Sequence, residues 1–268
     1  MRPITVPTHV RRQLQPNSTF LANIDNIRER FGRLLNGEPE VSIIVPAYNE
    51  EENILRTLSS LSETVTHRSV EFIVVDNNSK DRTAELIRAT GVVYLLETRQ
   101  GVTHARNAGL RIARGKYIIN TDADSIYLPN WLECMIRPLE DPANALSYGR
   151  FSFIPTGKTT RLTYFFYEHI VDILRFYNRN FREEAVNVGG CNSAFRRVQG
   201  LEVDGFDHPP QANEDGWLAL KLRDKGFGKL YLVTKNRALV WTNDRRFQID
   251  GGLWKAIKKR VRRVLGRK

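Results

Sequence analysis

A chain of 268 residues with 41% hydrophobic and 10% aromatic content is long enough for one large domain with appendages, and too apolar to remain disordered. No apolar run approaches the roughly 20 residues that span a bilayer, no signal-peptide core opens the chain, and two cysteines without a CxxC (Cys134, Cys191) exclude a disulfide scaffold or a cysteine zinc site and suit a reducing compartment. The net charge of +11 sits at the ends, eight Lys and Arg without an acid from Lys255 to Lys268 and Arg2, Arg11 and Arg12 at the start; residues 13–254 are therefore neutral, which argues against a nucleic-acid-binding body.

Residues 20–35 place Phe20, Ile24, Ile27, Phe31 and Leu34 at helical spacing, which predicts an amphipathic helix packed on the main domain and ended by Gly37-Glu38-Pro39. From Val41 strand-like runs alternate with helical patterns: strands over 41–45, 72–75, 92–96 and 117–120, and helices over 50–61, from about 81, and over 102–113. That period predicts an α/β fold, Rossmann-like, with a mostly parallel sheet and helices on both faces. Such sheets bind ligands at the carboxyl ends of their strands, so the polar residues after each strand are the candidate site. The second half is less regular. It reads as an aromatic-rich helix over 162–181, a glycine-opened strand or loop over 187–197, a helix over 215–225, short strands over 229–233 and 238–241, and a helix over 253–265. The cluster Tyr164, Phe165, Phe166 and Tyr167 reads first as core or homodimer contact and second as an acceptor groove.

The strand ends carry the chemistry. Strand one ends in Pro46-Ala47-Tyr48-Asn49-Glu50, strand two in Asp76-Asn77-Asn78-Ser79-Lys80-Asp81, and strand four in Thr121-Asp122-Ala123-Asp124-Ser125. A lone strand-end Asp is usually a cap for the next helix. Asp122 and Asp124 together, two residues apart where a buried strand becomes a loop, suit a hard divalent cation shared with substrate phosphate oxygens. The run Gly109 to Lys116 has the wrong spacing for a phosphate-binding loop and lies on a helix pattern, and no GxGxxG follows a strand. A diphosphate would then be held through metal and basic side chains.

The segments PAYNEEENI, VVDNNSKDRTAE, RNAGLRIARGKYIINTDADS, NVGGCNSAFRR and NEDGWLALKLRDKG, in this order over about residues 41–246, resemble the family 2 glycosyltransferases of GT-A fold. The resemblance implies that Pro46, Tyr48 and Glu50 lie beside the nucleoside, that Asp76 bonds the base, and that Arg106 lines the nucleotide pocket. Asp122 and Asp124 match the family's DxD motif, Asp124 reaching a Mg2+ or Mn2+ ion that bridges the two phosphates. Gly189 and Gly190 would let the backbone approach sugar and acceptor. Glu214-Asp215 matches the acidic pair at a helix start, with Asp215 as general base. An inverting transfer needs such a base, because the acceptor hydroxyl loses its proton as it attacks the anomeric carbon.

This sequence departs from the family at one place: Val240 to Phe247 holds no histidine that could add a metal ligand, and Arg245 and Arg246 are expected to clamp the diphosphate instead. His208, in the loop before Glu214, reads first as an acceptor-loop residue and second as a substitute metal ligand. In the tail, Leu253, Trp254, Ile257, Val261, Val264 and Leu265 share one face of an expected helix whose other faces are basic, a pattern that suits an anionic membrane surface. The expected organisation is an N-terminal arm with its amphipathic helix over 1–40, a GT-A domain over 41–246 (nucleotide half 41–125, acceptor half 126–246) and a basic amphipathic helix over 247–268. The expected function is inverting transfer from a nucleoside diphosphate sugar, UDP-linked rather than GDP-linked, to a glycan or lipid-linked hydroxyl acceptor at the cytoplasmic face of a bacterial membrane. The alternative is a non-catalytic nucleotide-sugar-binding or membrane-scaffold protein that keeps the fold.

Overall fold

A computed structural model describes residues 2–157, 159–245 and 255. The arm forms three helices, α1 (Thr8–Arg12), α2 (Asn17–Leu21) and α3 (Ile24–Leu34). The single helix expected over 20–35 is thus divided at Ala22 and Asn23, where the Asn23 side-chain amide donates to Thr19 O at 2.9 Å and interrupts the helical register. Phe20, Ile27 and Phe31 enter the main core, where Phe31 packs on Phe72 with ring centroids 4.6 Å apart.

The alternating half follows the hydrophobic pattern closely. In chain order it gives β1 (Val41–Ala47), α4 (Ile54–Ser62), β2 (Val70–Asp76), α5 (Thr83–Ala89), β3 (Val93–Leu96), α6 (Val102–Ile112) and β4 (Tyr117–Asn120). β1 and β2 are buried almost throughout, as continuous apolar strands of a parallel sheet covered on both faces must be. Gly109 is where α6 closes on that sheet, since a Cβ there would lie 2.6 Å from Ile44 Cγ2. Its role is packing, in keeping with its place on a helix pattern.

The second half continues with β5 (Ser125–Ile126), α7 (Trp131–Ile136), β6 (Asn144–Tyr148), β7 (Phe151–Ile154), α8 (Arg161–Phe181), β8 (Ser193–Arg196), α9 (Arg197–Glu202), α10 (Glu214–Asp224), β9 (Lys229–Leu232) and β10 (Val240–Asn243). The sequence pattern gave no sign of α7, β6, β7 or α9. Each is only four to six residues long, and Asn, Ala and Ser in β6 are weak strand formers. Tertiary pairing supplies what local propensity lacks.

The main sheet has the order β3-β2-β1-β4-β8-β6-β9, parallel except for β8, which runs antiparallel to both β4 and β6. A second sheet, β5-β10-β7, brings the end of the described chain back beside the β4 loop. The strand order reverses between β1 and β4, so their carboxyl ends flank the crevice where ligands bind in sheets of this kind. Of the four aromatic residues at the start of α8, Tyr164 and Tyr167 pack on Phe153 in a small core while Phe166 is exposed. The expected basic helix over 253–265 lies outside the described residues.

Arg2 ties the arm to α8. Its guanidinium is buried, pairs with Asp172 at 2.7 Å and Glu168 at 3.3 Å, and donates to Ser152 Oγ. Arg2→Ala should lower unfolding free energy by on the order of 3 kcal/mol, because it leaves carboxylates buried with less compensation. Chemical denaturation measures this, and a midpoint equal to that of the parent protein would show that the arm is not anchored there.

Candidate active site

The loops after β1 and β2 are built as one unit. Asn49 and Asn78 take left-handed conformations (φ 51 and 64), which Asn tolerates better than most residues. Asn49 N–H donates to Ser79 Oγ at 3.0 Å and Lys80 N–H donates to Asn49 Oδ1 at 2.8 Å, joining the loops side by side. Pro46 closes β1, and Tyr48 is half exposed beside it. Asp76 is buried at the end of β2, accepting from Ser79 N–H at 3.0 Å and from the Tyr94 hydroxyl at 3.1 Å. Glu50 is also buried; it accepts from the Asn53 amide and forms an ion pair with Arg245, 195 residues away.

The densest polar arrangement lies around Arg106 on α6. Its guanidinium is only 3% exposed and touches three carboxylates: Asp215 at 2.5 Å and Glu214 at 2.8 Å through Nη1, and Asp122 at 3.1 Å through Nη2. Three carboxylates around one buried guanidinium leave a surplus of negative charge at its side, with Asp122 the most exposed of the three. Burial and the neighbouring Glu214 and Asp122 raise the Asp215 pKa above the ordinary carboxylate range, against the pull of Arg106. Burial of the guanidinium is outweighed by the three carboxylates, so Arg106 stays charged. Glu214 and Asp215 open α10, where Asn213 caps the helix by accepting from Gly216 N–H at 2.8 Å. Their charge also complements the helix dipole, but Asp215 is 96% buried and faces inward, which a cap does not require.

Gly190 adjoins this cluster. A Cβ on Gly190 would overlap the Arg106 guanidinium, whereas one on Gly189 would meet nothing within 4 Å. The two glycines of the motif therefore differ: Gly190 leaves room for an arginine, and Gly189 borders open space. Two residues that sequence reasoning passed over hold the walls together. Tyr127, fully buried, accepts from Asp122 N–H at 2.9 Å and donates to Cys191 O at 3.2 Å, locking the DxD turn to the glycine loop. Asn192 accepts from Trp131 Nε1–H at 2.8 Å and donates to Arg150 O and Ala238 O. The only sequence signal for them was proximity to motifs, Tyr127 five residues after Asp122 and Asn192 two after Gly190.

Asp124 faces a second side of the crevice, a cavity of about 240 Å3 lined also by Arg56, Thr57, Thr156, Asn243 and Arg245. Thr242 Oγ1 lies 3.5 Å from its carboxylate. Among the described residues no group of three or more His, Cys, Asp or Glu side chains is placed so that it could hold a metal ion. Two carboxylates two residues apart, with Asp122 more than a third exposed, fit a hard cation that keeps most of its shell in water and phosphate oxygens. They would not fit an all-protein cage. Arg245 stands at this cavity in its pair with Glu50, and Arg246 lies outside the described residues. His208 bonds Thr103 Oγ1 of α6 at 3.1 Å, in the loop that precedes α10.

Residues 42–199, more than half of the chain, match the family described as Glycosyl transferase family 2. Among curated relatives, the chain is 33% identical over 134 residues to Glycosyltransferase AglE of Haloferax volcanii, covering 47% of this chain and 44% of that one. It is also 33% identical over 118 residues to an Escherichia coli UDP-Glc:alpha-D-GlcNAc-diphosphoundecaprenol beta-1,3-glucosyltransferase, WfgD, covering 42% and 46%. These matches span less than half the length of either relative. Similar solved structures include a mannosyltransferase, PcManGT, from Pyrobaculum calidifontis in complex with GDP-Man and Mn2+ (TM-score 0.57, 22% identity, 84% of this chain and 66% of that one). S. aureus TarS 1-349 with UDP is another (TM-score 0.58, 16% identity, 76% and 60%). At these identities the structures establish the GT-A fold.

The contrast between the two glycines is testable by stability alone. Gly190→Ala should displace Arg106 and destabilise the protein by about 1–3 kcal/mol, as overpacking does, whereas Gly189→Ala should change it little. Thermal denaturation of both variants decides; equal effects would remove the packing role assigned to Gly190.

Proposed function

The chain belongs to glycosyl transferase family 2, and from that premise we propose that it is an inverting, metal-dependent glycosyltransferase. It would move a sugar from a nucleoside diphosphate donor, UDP-linked, to a hydroxyl of a glycan or lipid-linked acceptor in polysaccharide or glycolipid synthesis. The observation that carries this reading is the convergence of Asp122, Glu214 and Asp215 on one buried guanidinium at the carboxyl edge of the sheet. A scaffold that had lost its chemistry would have no reason to keep three mutually repelling carboxylates there.

In this reading Pro46, Tyr48, Glu50 and Asp76 surround the nucleoside at the joined loops after β1 and β2. Asp122 and Asp124 would hold a Mg2+ or Mn2+ ion, which supplies charge to the diphosphate as it leaves. Arg245 would add positive charge on the same side, and Arg246, the next residue in the sequence, would join it in clamping the diphosphate. Gly189 borders the space for sugar and acceptor. Asp215 takes the proton of the acceptor hydroxyl as the new bond forms. Arg106 occupies its Oδ1, leaving Oδ2 for that proton, and holds the carboxylate in one orientation. Burial first, and then Glu214, raises the proton affinity of Asp215, which brings the base closer to the pH at which it works. We place the enzyme at the inner face of a bacterial cell membrane, supported by the cationic segment 255–268.

Nucleotide binding should require Asp124 and a divalent cation. Calorimetry of UDP with Mg2+ or Mn2+, repeated in chelator and with Asp124→Ala, tests this, and unchanged affinity in either arm would take the metal out of the mechanism. The same titration with GDP distinguishes the two donor classes.

Asp215→Asn should leave donor affinity nearly intact and lower turnover by about 10²- to 10⁴-fold. In the parent protein the base works deprotonated and its pKa is raised. Turnover should therefore fall, as pH is lowered, at a pH above the ordinary carboxylate range. A variant that kept more than about a tenth of the parent turnover would assign the base elsewhere.

A further inference from the structure

The surface of α8 is unlike the rest of the protein. Leu162, Phe166, Ile170, Ile173, Tyr177 and Phe181 recur at intervals of three and four residues and are all exposed, Ile173 and Phe181 by 68% and 69%. At about 100° per residue they share one side of the helix. The acids of α8 point elsewhere: Glu168 is buried against Arg2 and Arg161, and Asp172 pairs with Arg2 and Arg150. A helix of a water-soluble face would carry charge where this one carries large apolar side chains. Contiguous exposure on this scale marks an interaction surface.

We infer that this face of α8 lies in the interfacial region of an anionic membrane, as a second contact beside the cationic tail. The inference deepens the membrane reading proposed above and rests on it. Three observations choose lipid over a second copy of the chain. The continuous described chain reaches Arg245 next to α8, where the Tyr164 hydroxyl donates to Asp244 Oδ2 at 2.7 Å, so the chain leaves the described body beside the first turn of this helix, and in the sequence eight cations without an acid follow from Lys255. Pairing two copies through α8 would bring two such segments together, which like charge opposes, whereas an anionic headgroup layer attracts both. Finally, no helix among the described residues is long and apolar enough to cross a membrane, so α8 would lie along the surface with its aromatic side chains at headgroup depth. The far end of α8 bonds the turn before the glycine loop, Asn178 to Asn187 at 3.0 Å. A lipid-linked acceptor would thus meet the protein near Gly189.

The test is co-sedimentation with vesicles of phosphatidylcholine alone or with phosphatidylglycerol, at low and high salt. It compares the parent chain, a chain ending at 252, and Phe166→Ser/Ile170→Ser/Ile173→Ser. The parent should bind only anionic vesicles and keep part of that binding in high salt. The triple variant should lose the salt-resistant part and bind about tenfold or more weakly at low salt. If it binds like the parent while the shortened chain does not bind, the tail acts alone; the α8 inference then falls and the membrane reading stands. If the parent ignores anionic vesicles, both fall. If light scattering shows a parent dimer that the triple substitution dissociates, the face belongs to a second copy. Should the triple variant not fold, a polarity-sensitive fluorophore on Ile173→Cys decides: a blue shift on anionic vesicles supports the inference, and an unchanged emission overturns it.

Discussion

One buried guanidinium organises the candidate site. Arg106 comes from the helix before β4, Asp122 from the turn after β4, and Glu214 and Asp215 from a helix that begins 90 residues later. Three carboxylates this close together, Asp215 buried and Asp122 more than a third exposed, repel one another unless a cation stands between them. Gly190 is a glycine because the cation occupies the space of its side chain. The arrangement is costly to bury, and in the proposed function its value lies in orienting a base and setting its proton affinity.

The sheet decides where that cluster stands. The order β3-β2-β1-β4 places the reversal of strand order between the parallel strands β1 and β4, and the loops leaving those strands open onto one crevice. On one side Asn49, Ser79 and Lys80 fasten the first two loops together. On the other, Tyr127 bonds the DxD turn to the glycine loop, and Asn192 joins that loop to α7 and to the turn before β10. The walls are thus cross-linked by side chains that do no chemistry. Such support keeps a polar site open while the strands beneath it pack as a dry core.

Outside the crevice the chain divides its surface by charge and polarity. The body from 13 to 254 is neutral, the ends are cationic, and α8 exposes an apolar side free of charge. Arg2 bridges two of these regions, since it brings the start of the chain onto Glu168 and Asp172 of α8. By neutralising those acids on the inner side of the helix, it leaves the outer side without anions.

Much of this was legible in the sequence, for a physical reason. Strands buried on both faces must be apolar along their length, and the helices between them must be amphipathic, so β1 to β4 and α4 to α6 were written in a periodicity that needs no partner to be read. The strand-end motifs were legible as well, because a turn that leaves a buried strand with two carboxylates has few uses. What only the tertiary structure decided are the features that depend on a neighbour distant in sequence. Short β6 and β7 become strands by pairing with β8, β9 and β10, and nothing in their own residues insists on it. Arg106 was expected to line the nucleotide pocket, and that three carboxylates close around it appears only in the fold. Gly189 and Gly190 looked alike as a pair and differ only in what lies beyond them. Of four adjacent aromatic residues, Tyr164 and Tyr167 face Phe153 and Phe166 faces outward. Periodicity is a local property and survives in the sequence, whereas the identity of a side chain's neighbours is set by packing alone.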